Sequence, residues 1–100
     1  MNIAEEAQSI VLGERNAAYG NPRDDYTKTA KMWSGILAPK LNQDITPEEA
    51  IAMMVCVKLS REVHAHKRDN LVDAIGYILC LDWATTGVKP DEQKAHNHTS

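Results

Sequence analysis

Cationic charge is in short supply: 11 lysines and arginines stand against 14 acidic side chains, a formal net charge of −3 over 100 residues. The two signs are mixed along the chain and no basic stripe forms. Duplex nucleic acid, which is held by clustered Lys and Arg against the phosphates, is therefore not an expected partner. Cysteine is limited to Cys56 and Cys80. Both sit inside apolar helical stretches without CxxC spacing, which argues against a disulfide framework or zinc site and predicts two small buried thiols in a reducing compartment. Nothing approaches the ~20 apolar residues of a membrane span, and no charged-then-apolar leader opens the chain, so a soluble, cytoplasmic protein with no membrane partner is expected. Missing too is any run of β-branched and aromatic residues alternating at period two, which removes strands and leaves an all-α chain. At this length the single core is thin, and association of chains is the default way to complete it.

What is present is helical periodicity, in four segments. A first helix is expected over about residues 3–19, with Ile3, Ala7, Ile10, Ala17 and Ala18 as its apolar stripe and Gly20 as its stop. Asn21-Pro22 starts a second helix, with Asn21 as cap, proline at the first position and Asp24 and Asp25 in the first turn, where the helix dipole favours anions. Its stripe is Tyr26, Ala30, Trp33, Ile36 and Leu37. Pro39 breaks the pattern. Thr46-Pro47-Glu48-Glu49 then forms a capping box that opens a third helix to about Ala65. A fourth runs from about Asp69, its expected N-cap, to Thr86. Residues 1–87 thus make one domain, and the polar tail 88–100 reads as disordered.

The third and fourth helices carry charges in awkward places. On the third, Ile51, Met54 and Val55 define the inner face, yet Lys58 and Glu62 lie in the same sector, while His64 falls on the far side. On the fourth, Leu71, Ile75, Ile78 and Leu79 face one way, and Asp69, Asn70, Asp73 and Tyr77 the other. The second face continues into Gly76, Cys80 and Ala84, small residues that admit a further helix at close range. A carboxylate buried without a partner is costly. Asp73 therefore calls for a salt bridge to Lys58 or Arg61, or for a cation shared with Glu62, and Asn70 at i,i+3 points to the same side. Carboxylate and amide oxygens on two facing helices suit Mg²⁺, with Lys58, Arg61 and Arg15 placed to meet phosphates. Glu14, projecting from the first stripe, reads as a partner for a lysine or arginine.

The segments ERNAAYGNPRDDY, ITPEEAIAMMVCVKLSRE and HKRDNLVDAIGYILCL resemble a phage-encoded family of small all-helical proteins, distantly similar to MazG-like nucleotide pyrophosphohydrolases and nucleotide-modification-associated domains. The resemblance runs from about Glu14 to Leu81. It implies a four-helix MazG-like bundle completed by oligomerisation, in the host-cell cytoplasm, that splits nucleoside triphosphates around Mg²⁺. Carried over by position, Asp73 and Glu62 are the expected catalytic and metal-binding acids, Asn70 takes the place of a further acid, and Arg15, Tyr19, Asn21, Lys58, Arg61, Asn70 and Tyr77 contact the nucleotide. The sequence departs from the pattern at Ala52 and Asn70, where the family places acids.

Three functions of different class remain open. The leading one is a Mg²⁺-dependent (d)NTP pyrophosphohydrolase using Glu62 and Asp73, to which the other two are alternatives. Another is a binder that sequesters a nucleotide or nucleotide-derived signal without cleaving it. The last is a structural oligomer in which Lys58, Glu62 and Asp73 form a bridge and nothing binds. A homodimer or homotetramer is expected, with Trp33, Trp83 and the small face of the fourth helix as contacts.

Overall fold

The computed structural model of the chain describes residues 1–94, and all regular structure among them is helical. The elements are α1 (Ile3–Leu12), α2 (Glu14–Tyr19), α3 (Pro22–Leu37), α4 (Pro47–His64) and α5 (Arg68–Thr86), with single 3₁₀ turns at Ala38–Lys40 and Pro90–Glu92. None of the described helices is long and apolar enough to cross a membrane. Cap chemistry explains the starts. Asn2 with Glu5 and Thr46 with Glu49 both close reciprocal capping boxes, and the Asn21 side chain accepts from the Arg23 N–H at 2.8 Å.

α4 and α5 form an antiparallel hairpin, α1 lies on α5, and α3 rests against both α4 and α5. The core is drawn from all of them: Val11 of α1, Tyr26 and Ala30 of α3, Ala50 and Ile51 of α4, and Cys80, Trp83 and Ala84 of α5. Arg23 ties α3 to the end of α5, donating from Nε and Nη2 to the Ala84 carbonyl at 3.1 and 3.0 Å while pairing with Glu48 of α4. The expected close approach to the small face of α5 is present. A Cβ built on Gly76 would stand 3.6 Å from Val11 Cγ2, so α1 is the second helix that packs there.

Several expectations are corrected. The first helix is two, because the chain turns at Gly13 (φ −98°, ψ −104°), where any Cβ would stand 2.8 Å from the Ser9 carbonyl oxygen. The turn sends Val11 and Arg15 inward and leaves Ala17 and Ala18 exposed. On α3 the buried position is Ser34, whose hydroxyl accepts from the Ile45 N–H at 2.8 Å, whereas Ile36 is 75% exposed. Cys80 is buried but Cys56 is exposed, since it lies on the side of α4 away from α3 and α5. The cap of α5 is Lys67 rather than Asp69. Trp83 is in the core, and the small face of α5 is covered within the chain, so neither is free for a neighbouring subunit. Within the tail, residues 88–94 make a turn in which Gln93 donates to Asp82 and to the Val88 carbonyl. The expectation for the rest of the tail lies outside the described residues.

Candidate functional site

The charged side chains of the α4–α5 interface meet in two rungs. Lys58 Nζ stands 3.1 Å from Asp73 Oδ2, with the lysine largely covered and the aspartate 41% exposed. One helical turn further along α4, Glu62 faces Asn70, whose Nδ2 lies 3.4 Å from its Oε1. Glu62 is otherwise occupied at the start of α5: Oε1 accepts from the Lys67 N–H at 3.0 Å, and Oε2 meets His66 Nδ1. The contact with His66, then the Lys67 amide, holds the Glu62 carboxyl below the usual glutamate range. Asn70 is buried and also donates weakly to the Ala65 carbonyl at 3.5 Å. Glu62, Asn70, Asp73 and Lys58 thus lie along one interface. Their bonds run in pairs across it, with Asp73 on Lys58 and Glu62 on the hairpin loop. Arg61 is exposed beside that loop and lines an open cleft with Ser60, His64 and Lys67.

A second constellation sits on the opposite side of Asp73. A cavity of about 400 Å³ opens between α1, α2 and α5. Ala7, Val11, Val72 and Gly76 contribute apolar surface to it, and Glu14, Arg15, Tyr19, Asp73 and Tyr77 bring functional groups to its lining. The small side chains of α1 and α5 create the space, and the break at Gly13 brings the residues of α2 around to it.

Arg15 is held on three sides. Its Nη2 is 3.1 Å from Asp25 Oδ2 in the first turn of α3, and its Cζ lies 5.4 Å from the Tyr19 ring centroid and 5.6 Å from that of Tyr26. Tyr26 in turn meets Tyr77 edge to face at 6.2 Å, and burial, with the Tyr77 contact second, pushes its phenol well above the ordinary tyrosine range. Tyr19 ends α2 at the cavity rim and is 63% exposed.

The structure therefore gathers Arg15, Tyr19, Asp73 and Tyr77 around one cavity and places Lys58 behind Asp73. It does not bring Glu62, Asn70, Arg61 or Asn21 to the cavity lining. The Asn21 oxygen is engaged in capping α3. Sequence reasoning missed Asp25 and Tyr26 as the groups that hold Arg15. The signal available was the Gly20-Asn21-Pro22 turn, which folds the first turn of α3 back beside α2. Glu14, read as a partner for a basic side chain, lines the cavity with no such partner among the described contacts. Among the described residues no group of three or more His, Cys, Asp or Glu is arranged to hold a metal ion. The donor set at the cavity is two carboxylates, Glu14 and Asp73.

A family model described as a domain of unknown function, DUF6378, matches residues 2–84. The Gene 55 protein of Mycobacterium phage D29 is 33% identical over 82 residues, covering 81% of this chain and 52% of that protein. The Gene 55 protein of Mycobacterium phage L5 is 31% identical over 83 residues, covering 82% and 51%. The chain thus spans about half the length of these relatives. No solved structure matches it.

Proposed function

This chain belongs to the DUF6378 family, and from that premise we propose that it binds a nucleotide or nucleotide-derived small molecule in the cavity between α1, α2 and α5, without cleaving it. The observation that carries this reading is the meeting of Arg15, Tyr19, Asp73 and Tyr77 around one cavity of nucleoside size. The exposed Tyr19 ring at the rim offers a face on which a base can stack. Glu14 and Asp73 accept hydrogen bonds from ribose hydroxyls or amino groups of the base. Arg15 is already shared with Asp25, so the cavity lining carries more acid than free cation. That balance suits the nucleoside inside and the phosphates toward solvent. Sequestration is favoured over hydrolysis because the two acids expected to act together are engaged apart, Asp73 with Lys58 and Glu62 with His66 and the Lys67 amide.

Calorimetric titration of the pure protein with a panel of linear and cyclic nucleotides, with and without Mg²⁺, tests the reading. Saturable binding to at least one is expected. Tyr19→Ala should weaken it about 5-fold or more, since stacking on an aromatic ring is worth about 1–3 kcal/mol per base. Absence of saturable binding to every nucleotide would overturn the proposal. Hydrolysis is the second reading, favoured by one observation, that Glu14 and Asp73 line the same cavity. Mg²⁺ can be held by one or two carboxylates together with substrate phosphates. Pyrophosphate released from a triphosphate in Mg²⁺, and lost in Asp73→Asn, would decide for it.

A further inference from the structure

We infer that Glu14 selects the base and that the ligand of the cavity is a guanine nucleotide, an inference that rests on the nucleotide reading above and names its ligand. Glu14 is the first residue of α2 and Tyr19 the last, so one short helix brings to the cavity both a carboxylate and the ring on which a base can stack. The other charged groups of the lining are already engaged. Arg15 is held by Asp25 and Asp73 by Lys58, each at 3.1 Å. Glu14 makes no salt bridge among the described residues and is exposed at the rim, which leaves both its oxygens to a ligand. Ala18, one turn beyond Glu14 on the same face of α2, also lines the cavity, and its side chain is too small to block a base on Tyr19 from reaching the carboxylate.

An ionised carboxylate is an acceptor only, with two oxygens side by side. Two N–H donors side by side satisfy it best, and paired contacts to a charged group are the strong form of hydrogen bond. Among the common bases guanine offers that edge, with its ring N1–H next to the amino group on C2. Adenine and cytosine each place one amino donor next to a ring nitrogen lone pair, which would face a carboxylate oxygen in repulsion. Uracil and thymine carry one ring N–H between two carbonyl oxygens, and hypoxanthine has the N1–H of guanine without the amino group. A site that pairs with a donor rejects the analogue lacking it, because its own polar group is then left unmatched. Glu14 therefore discriminates among bases, whereas the Tyr19 ring, which any base can cover, supplies affinity without choice.

Calorimetry on the full chain with the nucleotides of guanine, hypoxanthine, adenine, cytosine and uracil, as monophosphates, cyclic monophosphates and triphosphates, with and without Mg²⁺, tests the assignment. GMP and IMP differ only in the amino group on C2. The guanine nucleotide should bind about 10-fold or more tightly than its hypoxanthine counterpart, as the loss of one hydrogen bond to a charged group requires. Glu14→Gln exchanges one acceptor oxygen for an amide donor, and a side-chain amide pairs with the donor and acceptor of adenine. That variant should lose the guanine preference and bind the adenine nucleotide at least as tightly as the guanine one, with the helical circular dichroism unchanged because residue 14 is exposed. Saturable binding with no preference for guanine over hypoxanthine, or a preference that survives in Glu14→Gln, would overturn this inference and leave the nucleotide reading standing. Absence of binding to every nucleotide would overturn both. The comparison of guanine with hypoxanthine uses the unaltered chain, so the test holds should Glu14→Gln fail to fold.

Discussion

Glu62 shows how a single carboxylate can look like one thing in a sequence and do another in the fold. Its position in the inner sector of α4 and its distance from Asp73 in helical register suggested a metal ligand. In the structure it closes the hairpin, bonded to His66, the Lys67 amide and Asn70. Because these contacts lower its folded pKa below the unfolded value, the stabilisation is present above the ordinary glutamate range and is lost as pH falls through it toward the lower folded value. Denaturant midpoints followed from pH 7 down through about pH 4 should therefore decline, and decline less in Glu62→Gln. Equal slopes for the two proteins would show that Glu62 plays no such part. The Lys58–Asp73 contact was one of two pairings legible for Asp73, and the structure selects Lys58 over Arg61, which is exposed beside the loop. The role of Glu62 was not legible, because a side chain that caps the next helix across a loop leaves no trace in periodicity.

Helices were readable where their caps are chemical. The capping box at Thr46 and the Asn21-Pro22 start were both legible, and α4 and α3 begin there. α1 and α2 were read as one helix because apolar spacing continues past Gly13 and glycine is tolerated inside helices. What the spacing omits is the Ser9 carbonyl standing where a side chain at residue 13 would be. Gly13→Ala separates the two accounts. In an unbroken helix it would raise stability by up to about 1 kcal/mol. With the chain turned as observed, it should lower stability by about 1 kcal/mol or more, read from thermal or urea unfolding. The break is also what brings Glu14, Arg15 and Tyr19 to the cavity, so a site partly legible by residue type was not legible as a place.

For the molecule as a whole, the all-α class followed from the absence of strand patterns, and the match to DUF6378 covers the helical domain. The core was less predictable, because the apolar stripes do not coincide with what is buried. None of the leucines among the described residues is fully buried. The interior is instead built on Ala7, Ala30, Ala50, Ala74 and Ala84, none more than 5% exposed, with a few larger side chains such as Ile51, Val11 and Val72 between them.

An interior of methyl groups reverses the usual map of tolerance. Helices whose spacing is set by alanine have no slack to accept an extra branch, whereas trimming a rim leucine removes little that is wholly enclosed. Ala50→Leu should cost about 1–3 kcal/mol through forced displacement of its neighbours, measured by chemical unfolding, and Leu12→Ala should cost less. In a saturation library selected for folded protein, the most sharply purged positions will be the smallest ones.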